Sequence, residues 1–141
     1  MIWTNLPDIA HMTELGLNGA TSHMGIEFTE VGDDFMRATM PVDHRTKQPF
    51  GLLHGGASVL LAETVGSMAA NFCVAKGQAA VGLDINANHV RGVTEGYVTA
   101  TATPVNLGRT IQVWQINIVD QRDKLVCSSR LTMAVIPKPS S

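Results

Sequence analysis

The chain has 141 residues, of which 45% are hydrophobic and 16% are charged, and its formal net charge at pH 7 is −2. This length favours a single domain over residues 1–141, with enough apolar residues for a core. No basic run is present, which argues against a nucleic-acid partner, and no stretch is long and apolar enough to cross a membrane. The small share of charged residues predicts a homo-oligomer, because surfaces between subunits are depleted in charge.

The N-terminal stretch and the cysteines together indicate a cellular location. Residues 1–15 carry acidic residues and lack the basic region of a signal peptide. Cys73 and Cys127 are not spaced as metal ligands, and the five histidines are scattered. We therefore expect a cytoplasmic protein with two reduced thiols and no bound metal or cofactor.

Hydrophobic periodicity and turn residues define the elements. In chain order we predict a short helix, two strands, one long helix and four further strands, at residues 8–15, 25–31, 35–42, 54–75, 80–93, 96–105, 110–119 and 125–136. Short connectors join the last four strands, which should therefore be antiparallel neighbours in sequence order. In the strand 110–119 the apolar residues change face after Val113, which suggests a bulge or a strand covered on both faces. The pattern is α+β, with one antiparallel sheet wrapped around the long helix and edge strands covered by dimerisation.

The long helix contains a single charged side chain, Glu63. Small residues along the helix keep it slim enough for a sheet to wrap closely around it, and Gly77 is the expected stop signal. An isolated carboxylate is costly to bury, so Glu63 needs either a partner or a chemical role. A structural ion pair with Arg37, Arg91 or Arg130 is the alternative to a catalytic role.

The start of this helix provides a second group that is able to take part in chemistry. Gly55 and Gly56 follow His54, and a glycine-led start leaves backbone N–H groups free at the positive end of the helix dipole. A Gly55 N–H that polarises a thioester or ester carbonyl, and Glu63 as nucleophile or general base, fit acyl transfer to water. The neutral amide of Gln48 suits orientation of the carbonyl or the water.

Helical spacing separates these groups within one chain. His54 and Glu63 are nine positions apart, which corresponds to opposite faces of the helix and a rise of about 13 Å. A site that contains both residues must therefore combine two subunits. Ser67 lies one turn after Glu63 on the same face and reaches the same reaction space.

Several motifs point to a known family. They are QPFGLLHGGAS at 48–58 followed by AET at 62–64, MPVDHRTKQPFG at 40–51, GLDINANHVR at 82–91 and NLGRTIQVWQI at 106–116. With these motifs the chain resembles the hotdog-fold acyl-CoA thioesterases of the 4-hydroxybenzoyl-CoA thioesterase-like superfamily. It is most similar to a small bacterial group that includes hydrolases of 1,4-dihydroxy-2-naphthoyl-CoA in menaquinone biosynthesis and proofreading thioesterases for aryl carrier proteins.

The resemblance implies a hotdog fold, in which a curved antiparallel sheet wraps one long helix. Two protomers would join their sheets, and two dimers would pack as a homotetramer. The catalytic carboxylate of the family falls on Glu63 and its carbonyl-polarising amide on Gly55. The supporting residues of the neighbouring subunit fall on Gln48 and His54, and the water-assisting hydroxyl falls on Ser67.

The resemblance also implies positions that bind the substrate. Met68 falls where members of the group border the acyl pocket. CoA would be part of the substrate and not a cofactor, and the sequence offers His89, Arg91 and Arg109 for its phosphate-bearing tail, which favours arginine. Gly82 has no side chain to obstruct pantetheine beside its strand.

We therefore predict hydrolysis of an acyl-CoA thioester with an aromatic or medium-sized acyl group. Three alternatives remain open at this point. They are a thioesterase for misacylated aryl carrier proteins, a hotdog hydratase that acts on acyl thioesters, and a non-catalytic acyl-CoA-binding module.

Overall fold

A computed structural model describes residues 1–139. It contains three helices and six strands: α1 Ile9–Leu15, α2 Ala20–His23, β1 Glu27–Val31, β2 Met36–Pro41, α3 Gly55–Asn71, β3 Gln78–His89, β4 Tyr97–Leu107, β5 Ile111–Val119 and β6 Leu125–Pro137. Asp8 caps α1, as its carboxylate accepts from the Ala10 N–H. All predicted elements are present within a few residues of their expected bounds, and only the single-turn helix α2 was not predicted.

The six strands form one sheet in the order β1-β2-β4-β5-β6-β3, and every neighbouring pair is antiparallel. The α+β prediction is confirmed, but the prediction that β3 and β4 are neighbours is wrong, because β3 pairs with β6. The connector between them crosses the fold instead of turning back. Leu53 donates to the Val93 carbonyl at 2.8 Å, and Val42 donates to the Gly96 carbonyl at 2.8 Å. This crossing makes β3 an edge strand.

The strand β5 keeps one regular alternation of inward and outward side chains. Its inward face carries Gln112, which is buried, accepts from Trp114 Nε1 at 2.8 Å and donates to the Cys73 carbonyl at 3.3 Å. The apparent change of face after Val113 comes from a polar residue that points into the core, and the irregularity in pairing at this level places its extra residue, Val105, in β4 and not in β5. The β4–β5 register shifts opposite Val113 and Trp114, between Pro104 and Asn106, and the β5–β6 register shifts between Ile118 and Val119.

The helix α3 packs on one face of the sheet and contacts strands β2 to β6. Its small residues allow a close approach, since a Cβ added at Gly66 would lie 2.6 Å from Leu131 Cδ2. The helix ends at Asn71, earlier than predicted, with Phe72 as its C-cap. Gly77, with φ +85°, lies in the turn that leads to β3 and does not end the helix. None of the helices within residues 1–139 has the length and apolar character needed to cross a membrane.

Candidate active site

A cavity of about 420 Å³ opens at the N-terminal end of α3. Four of the predicted site residues meet on its wall within one chain: Gln48, Gly55, His89 and Arg91. Its remaining wall is formed by Leu52, Leu53, Ser58, Val90, Gly92 and Val126. The loop before α3, the start of α3 and the end of β3 therefore build one side of the candidate site.

The hydrogen bonds in the first turn of α3 leave one backbone donor free. His54 Nδ1 accepts from the Gly56 N–H at 2.8 Å. The His54 carbonyl accepts from Ala57 at 3.0 Å and from Ser58 at 3.1 Å. Within residues 1–139, the Gly55 N–H is the first-turn donor that has no partner. It lies on the cavity wall at the positive end of the helix dipole, where a carbonyl oxygen that gains negative charge is stabilised.

The imidazole of His54 acts as the N-cap of α3. Because Nδ1 accepts a hydrogen bond, the neutral ring carries its proton on Nε2 and presents that nitrogen as a donor. The side chain is exposed beside the cavity and does not form part of its wall. The structure thus gives His54 a structural role, and the predicted catalytic role depends on the Nε2–H.

The side chain of Gln48 is held by its own loop. Its Oε1 accepts from the Phe50 N–H at 2.5 Å and from the Leu52 N–H at 3.4 Å. This pattern identifies the oxygen of the amide, and it leaves the amide NH₂ group as a donor at the cavity wall. Gln48 is therefore able to donate to a carbonyl or a water without adding charge.

His89 of β3 lies against Gly55 of α3. A Cβ at position 55 would lie 3.1 Å from His89 Nε2, so the ring fills the space that a side chain would need. Arg91 follows at the exposed rim and also lines a second cavity of about 450 Å³ together with Arg122 of the β5–β6 turn. Next to them, the pKa of Asp120 is lowered, first by the hydrogen bond from the Lys124 N–H and also by the charges of both arginines.

Glu63 stands over Gly82 of the edge strand β3. One carboxylate oxygen, Oε2, occupies the space into which a Cβ of residue 82 would project. The side chain is only half-buried in the single chain, so the expected cost of burying its charge is lower there. This contact explains the glycine at position 82, because any other residue would displace the carboxylate.

The alternative of a structural ion pair is not found for Glu63. Within residues 1–139 the ion pairs are Arg37–Glu30 and Arg45–Asp43, both at 2.7 Å. Arg130 donates to Gln115, and Arg91 forms no ion pair within the same residues. The carboxylate of Glu63 is therefore available for chemistry.

Ser67 and Met68 continue along α3 after Glu63, and both are half-buried. Met68 packs against the hydrophobic core. Ser67 lies one helical turn beyond Glu63, and its carbonyl accepts from Asn71 Nδ2 at 2.9 Å. Glu63, Ser67 and Met68 of α3, together with Gly82 of β3, form a second group of predicted site residues.

The two groups are separated in the single chain. Gly55 and Glu63 lie about 12 Å apart along the helix axis. Arg109 is exposed in the turn between β4 and β5, where the Thr110 carbonyl accepts from Val135 at 2.9 Å. This is the end of the sheet at which β3 begins, whereas His89 lies where β3 ends. One chain therefore does not bring Arg109 to the other residues predicted to bind CoA.

The cavity includes residues that the motifs did not single out. Ser58 is buried in the first turn of α3 and lines the cavity, and the only signal for it was a lone hydroxyl within HGGAS. Val126 reaches the wall from β6, and no local sequence pattern marks it. Within residues 1–139, no three His, Cys, Asp or Glu side chains lie close enough to hold a metal ion.

Comparison with known proteins identifies the class. Residues 50–127 match the model of the thioesterase superfamily. A thioesterase from Haemophilus influenzae, known from its crystal structure, is 57% identical, has a TM-score of 0.95, and is matched over 97% of this chain and 96% of that one. The chain belongs to the thioesterase superfamily and is a thioesterase with the hotdog fold.

Two further relatives have more specific names. The 1,4-dihydroxy-2-naphthoyl-CoA hydrolase of Escherichia coli is 51% identical over 136 residues, which cover 96% of this chain and 100% of the relative. A proofreading thioesterase of Cronobacter turicensis is 49% identical over 141 aligned positions, which cover 96% of this chain and 99% of the relative. These identities confirm the predicted family resemblance along almost the whole chain.

Proposed function

We propose that the chain hydrolyses an aromatic acyl-CoA thioester to the free acid and CoA. The observation that carries this proposal is the unpartnered Gly55 N–H on a cavity wall, beside the NH₂ group of Gln48. Two such donors suit a thioester oxygen that becomes negatively charged as the carbonyl is attacked. CoA enters as part of the substrate.

The complete site combines two copies of the chain. The contacts Glu63–Gly82 and Gly55–His89 both lie where α3 meets β3, and Gly82 and His89 are about 23 Å apart along the strand. If two β3 edges pair antiparallel about the middle of the strand, Gly82 of one copy approaches His89 of the other. Glu63 then faces Gly55 of the partner subunit.

The exposed edge of β3 supports this pairing. Leu83 of β3 and Val90, the residue that follows β3, are 60% and 59% exposed in the single chain, and no strand covers this side of β3 within residues 1–139. An open edge with apolar side chains favours association with another strand. The same pairing brings Arg109 of one copy toward Arg91 of the partner subunit, because the start of one β3 then lies beside the end of the other. Two such dimers would form the tetramer.

The reaction follows from these positions. The thioester oxygen accepts from the Gly55 N–H while the NH₂ group of Gln48 and the Nε2–H of His54 hold the carbonyl and leaving-group region. Glu63 of the partner subunit either takes a proton from an attacking water that Ser67 positions, or attacks the carbonyl carbon itself and forms a mixed anhydride that water then hydrolyses to the free acid and the Glu63 carboxylate. The C–S bond breaks and CoA leaves as the thiolate.

The CoA portion and the acyl group occupy different parts of the site. His89 and Arg91 receive the CoA tail at the cavity rim, and the absent side chain of Gly82 leaves room for pantetheine. Met68 borders the acyl group. The similarity to the E. coli hydrolase supports 1,4-dihydroxy-2-naphthoyl-CoA as the substrate and menaquinone biosynthesis as the process.

A second candidate function is the hydrolysis of misacylated aryl carrier proteins. The similarity to the proofreading thioesterase of C. turicensis favours it, and a carrier protein presents the same pantetheine thioester. The free thiols of Cys73 and Cys127 agree with a cytoplasmic location for either function.

Release of free thiol tests these proposals. The wild-type chain is assayed with 1,4-dihydroxy-2-naphthoyl-CoA, benzoyl-CoA, an aliphatic acyl-CoA and an aryl carrier-protein thioester. We expect the highest kcat/KM with an aryl-CoA, whereas a preference for the carrier-protein thioester would support the second candidate. Binding of acyl-CoA without thiol release would indicate a binding module, and a change in enoyl absorbance without thiol release would indicate a hydratase.

A further inference from the structure

Asn71, the last residue of α3, ties the helix to the edge strand β3. Its Oδ1 accepts from the Ala80 N–H at 2.9 Å, and its Nδ2 donates to the Ala80 carbonyl at 3.0 Å. The same Nδ2 donates to the Ser67 carbonyl at 2.9 Å. One side-chain amide thus pairs with both backbone groups of a strand residue, as a neighbouring strand would do.

The amide orientation of Asn71 follows from its partners. The atom that faces the Ala80 N–H must be an acceptor, and the atom that faces the carbonyls of Ala80 and Ser67 must be a donor. Both hydrogens of the NH₂ group are therefore in use. The amide has no donor left for a substrate, so a direct catalytic role for Asn71 does not fit this geometry.

The bonds to Asn71 close the free edge of β3 at one end. Both backbone groups of Ala80 point to Asn71 and so are not available to a strand from another copy. The pairing strand therefore meets its first open position at Gly82, and the free edge ends with β3 itself at His89. Two-fold pairing over this limited edge has its centre near Asn86, which brings Gly82 near His89 of the partner subunit.

We propose that Asn71 is a positioning residue that ends the free edge of β3 at Ala80 and thereby sets the register in which a second copy pairs. This inference rests on the two-subunit site proposed above. The register matters because a slip along the strand moves Gly55 of the partner subunit away from Glu63. Asn71 acts through Ala80 and Gly82 and does not touch the reacting atoms.

The first test replaces Asn71 and measures both the protection of the Ala80 amide and the catalytic rate. Asn71→Ala removes all three hydrogen bonds, and we expect exchange of the Ala80 amide to become about tenfold faster. We also expect kcat to fall about tenfold or more while KM stays within threefold, because the reacting groups are misplaced and not lost. Asn71→Asp keeps the acceptor for the Ala80 N–H and should retain more of the protection and more of the activity.

The second test measures the register through a disulfide between the two copies. Asn86 lies on the outer face of β3 near the proposed two-fold centre, so the variant Asn86→Cys should cross-link to its own counterpart more readily than Asp84→Cys or Asn88→Cys. When Asn71→Ala is added to each of these three cysteine variants, cross-linking should become more even across positions 84, 86 and 88. Asn117→Ala is the matched control, because Asn117 is an exposed asparagine whose side chain, among residues 1–139, bonds only to Gln115 on the outer face of the sheet.

The outcomes separate the two proposals. If Asn71→Ala matches Asn117→Ala in kcat and in cross-linking pattern while Glu63→Gln still abolishes thiol release, the positioning role is wrong and the proposed function stands. If the Asn86→Cys variant cross-links to its own counterpart but wild-type protein releases no thiol, the proposed reaction fails and the pairing register survives. Should Asn71→Ala not fold, the same comparison made with Asn71→Asp decides the question.

Discussion

The carboxylate of Glu63 and the backbone of Gly82 are in direct contact, with one carboxylate oxygen in the space that a Cβ at position 82 would fill. Glu63 belongs to the buried helix α3 and Gly82 to the exposed edge of the sheet. The carboxylate that we propose as the catalytic group thus lies at the surface along which a second chain is expected to pair.

Replacing Gly82 with alanine should displace the carboxylate. The added methyl group overlaps Glu63 Oε2, so we expect kcat to fall about a hundredfold with little loss of structure by circular dichroism. Gly19→Ala is the matched control, since a Cβ there has its nearest atom at 3.8 Å and the backbone φ is −132°. Equal thiol release by the two variants would show that the position of Glu63 over β3 is unimportant.

The capping role of His54 and its proposed catalytic role are separable by substitution. His54→Ala removes the cap of α3 and should lower the free energy of unfolding by about 1 kcal/mol, whereas His54→Asn supplies another good capping side chain and should preserve it. Neither variant has the imidazole Nε2–H, so both should lose turnover. Urea unfolding and thiol release measure the two effects. Wild-type turnover in His54→Asn would leave His54 with a capping role alone.

The NH₂ group of Gln48 is the second predicted donor to the thioester. Gln48→Glu keeps an oxygen for the Phe50 N–H but replaces the donor with a negative charge, so kcat/KM should fall about a hundredfold. The control Gln115→Glu makes the same change on the outer face of the sheet, where the new carboxylate still accepts from Arg130. The account of Gln48 is contradicted if both variants hydrolyse aryl-CoA at the wild-type rate.

The thiol of Cys73 should react slowly at neutral pH. Burial raises its pKa to about 11, because the charged thiolate is poorly solvated. At pH 8 only about one thiol in a thousand is then ionised, and alkylation by iodoacetamide should accelerate about tenfold per pH unit up to that pKa. Mass spectrometry follows the modification, with urea-unfolded protein as the rapid control. Alkylation of the folded chain at pH 7 as fast as in urea would be inconsistent with a partly buried thiol of raised pKa.

Much of this structure follows from local pattern in the sequence. The lone charge of Glu63 in an apolar helix and the glycine start at Gly55 are visible without coordinates, and helical spacing already separates the two residues. The position of β3 at the sheet edge, beside β6, could not be predicted from local pattern, because the connector 90–96 resembles a turn in the sequence but crosses the fold. The inward position of Gln112 was also hidden, since its partners Trp114 and the Cys73 carbonyl become neighbours only in the folded sheet.

The long-range contacts of the site were likewise not predictable from spacing. The bonds between Asn71 and Ala80 join a helix end to a strand across a turn, and nothing in the sequence marks this asparagine. The grouping of Arg109 with His89 and Arg91 was made from residue type alone. In one chain these residues lie at opposite ends of β3, and only the pairing of two copies would bring them together.

The composite site is tested most directly by combining two inactive variants. Chains with Glu63→Gln and chains with Gln48→Ala are co-expressed with different tags, and dimers that contain one of each are purified. If Glu63 of one chain works with Gln48 and Gly55 of the partner subunit, each mixed dimer has one intact site, and about half of wild-type turnover should return. If each chain carries its own complete site, every site has one defect, and the mixed dimers will be as inactive as the two parent variants.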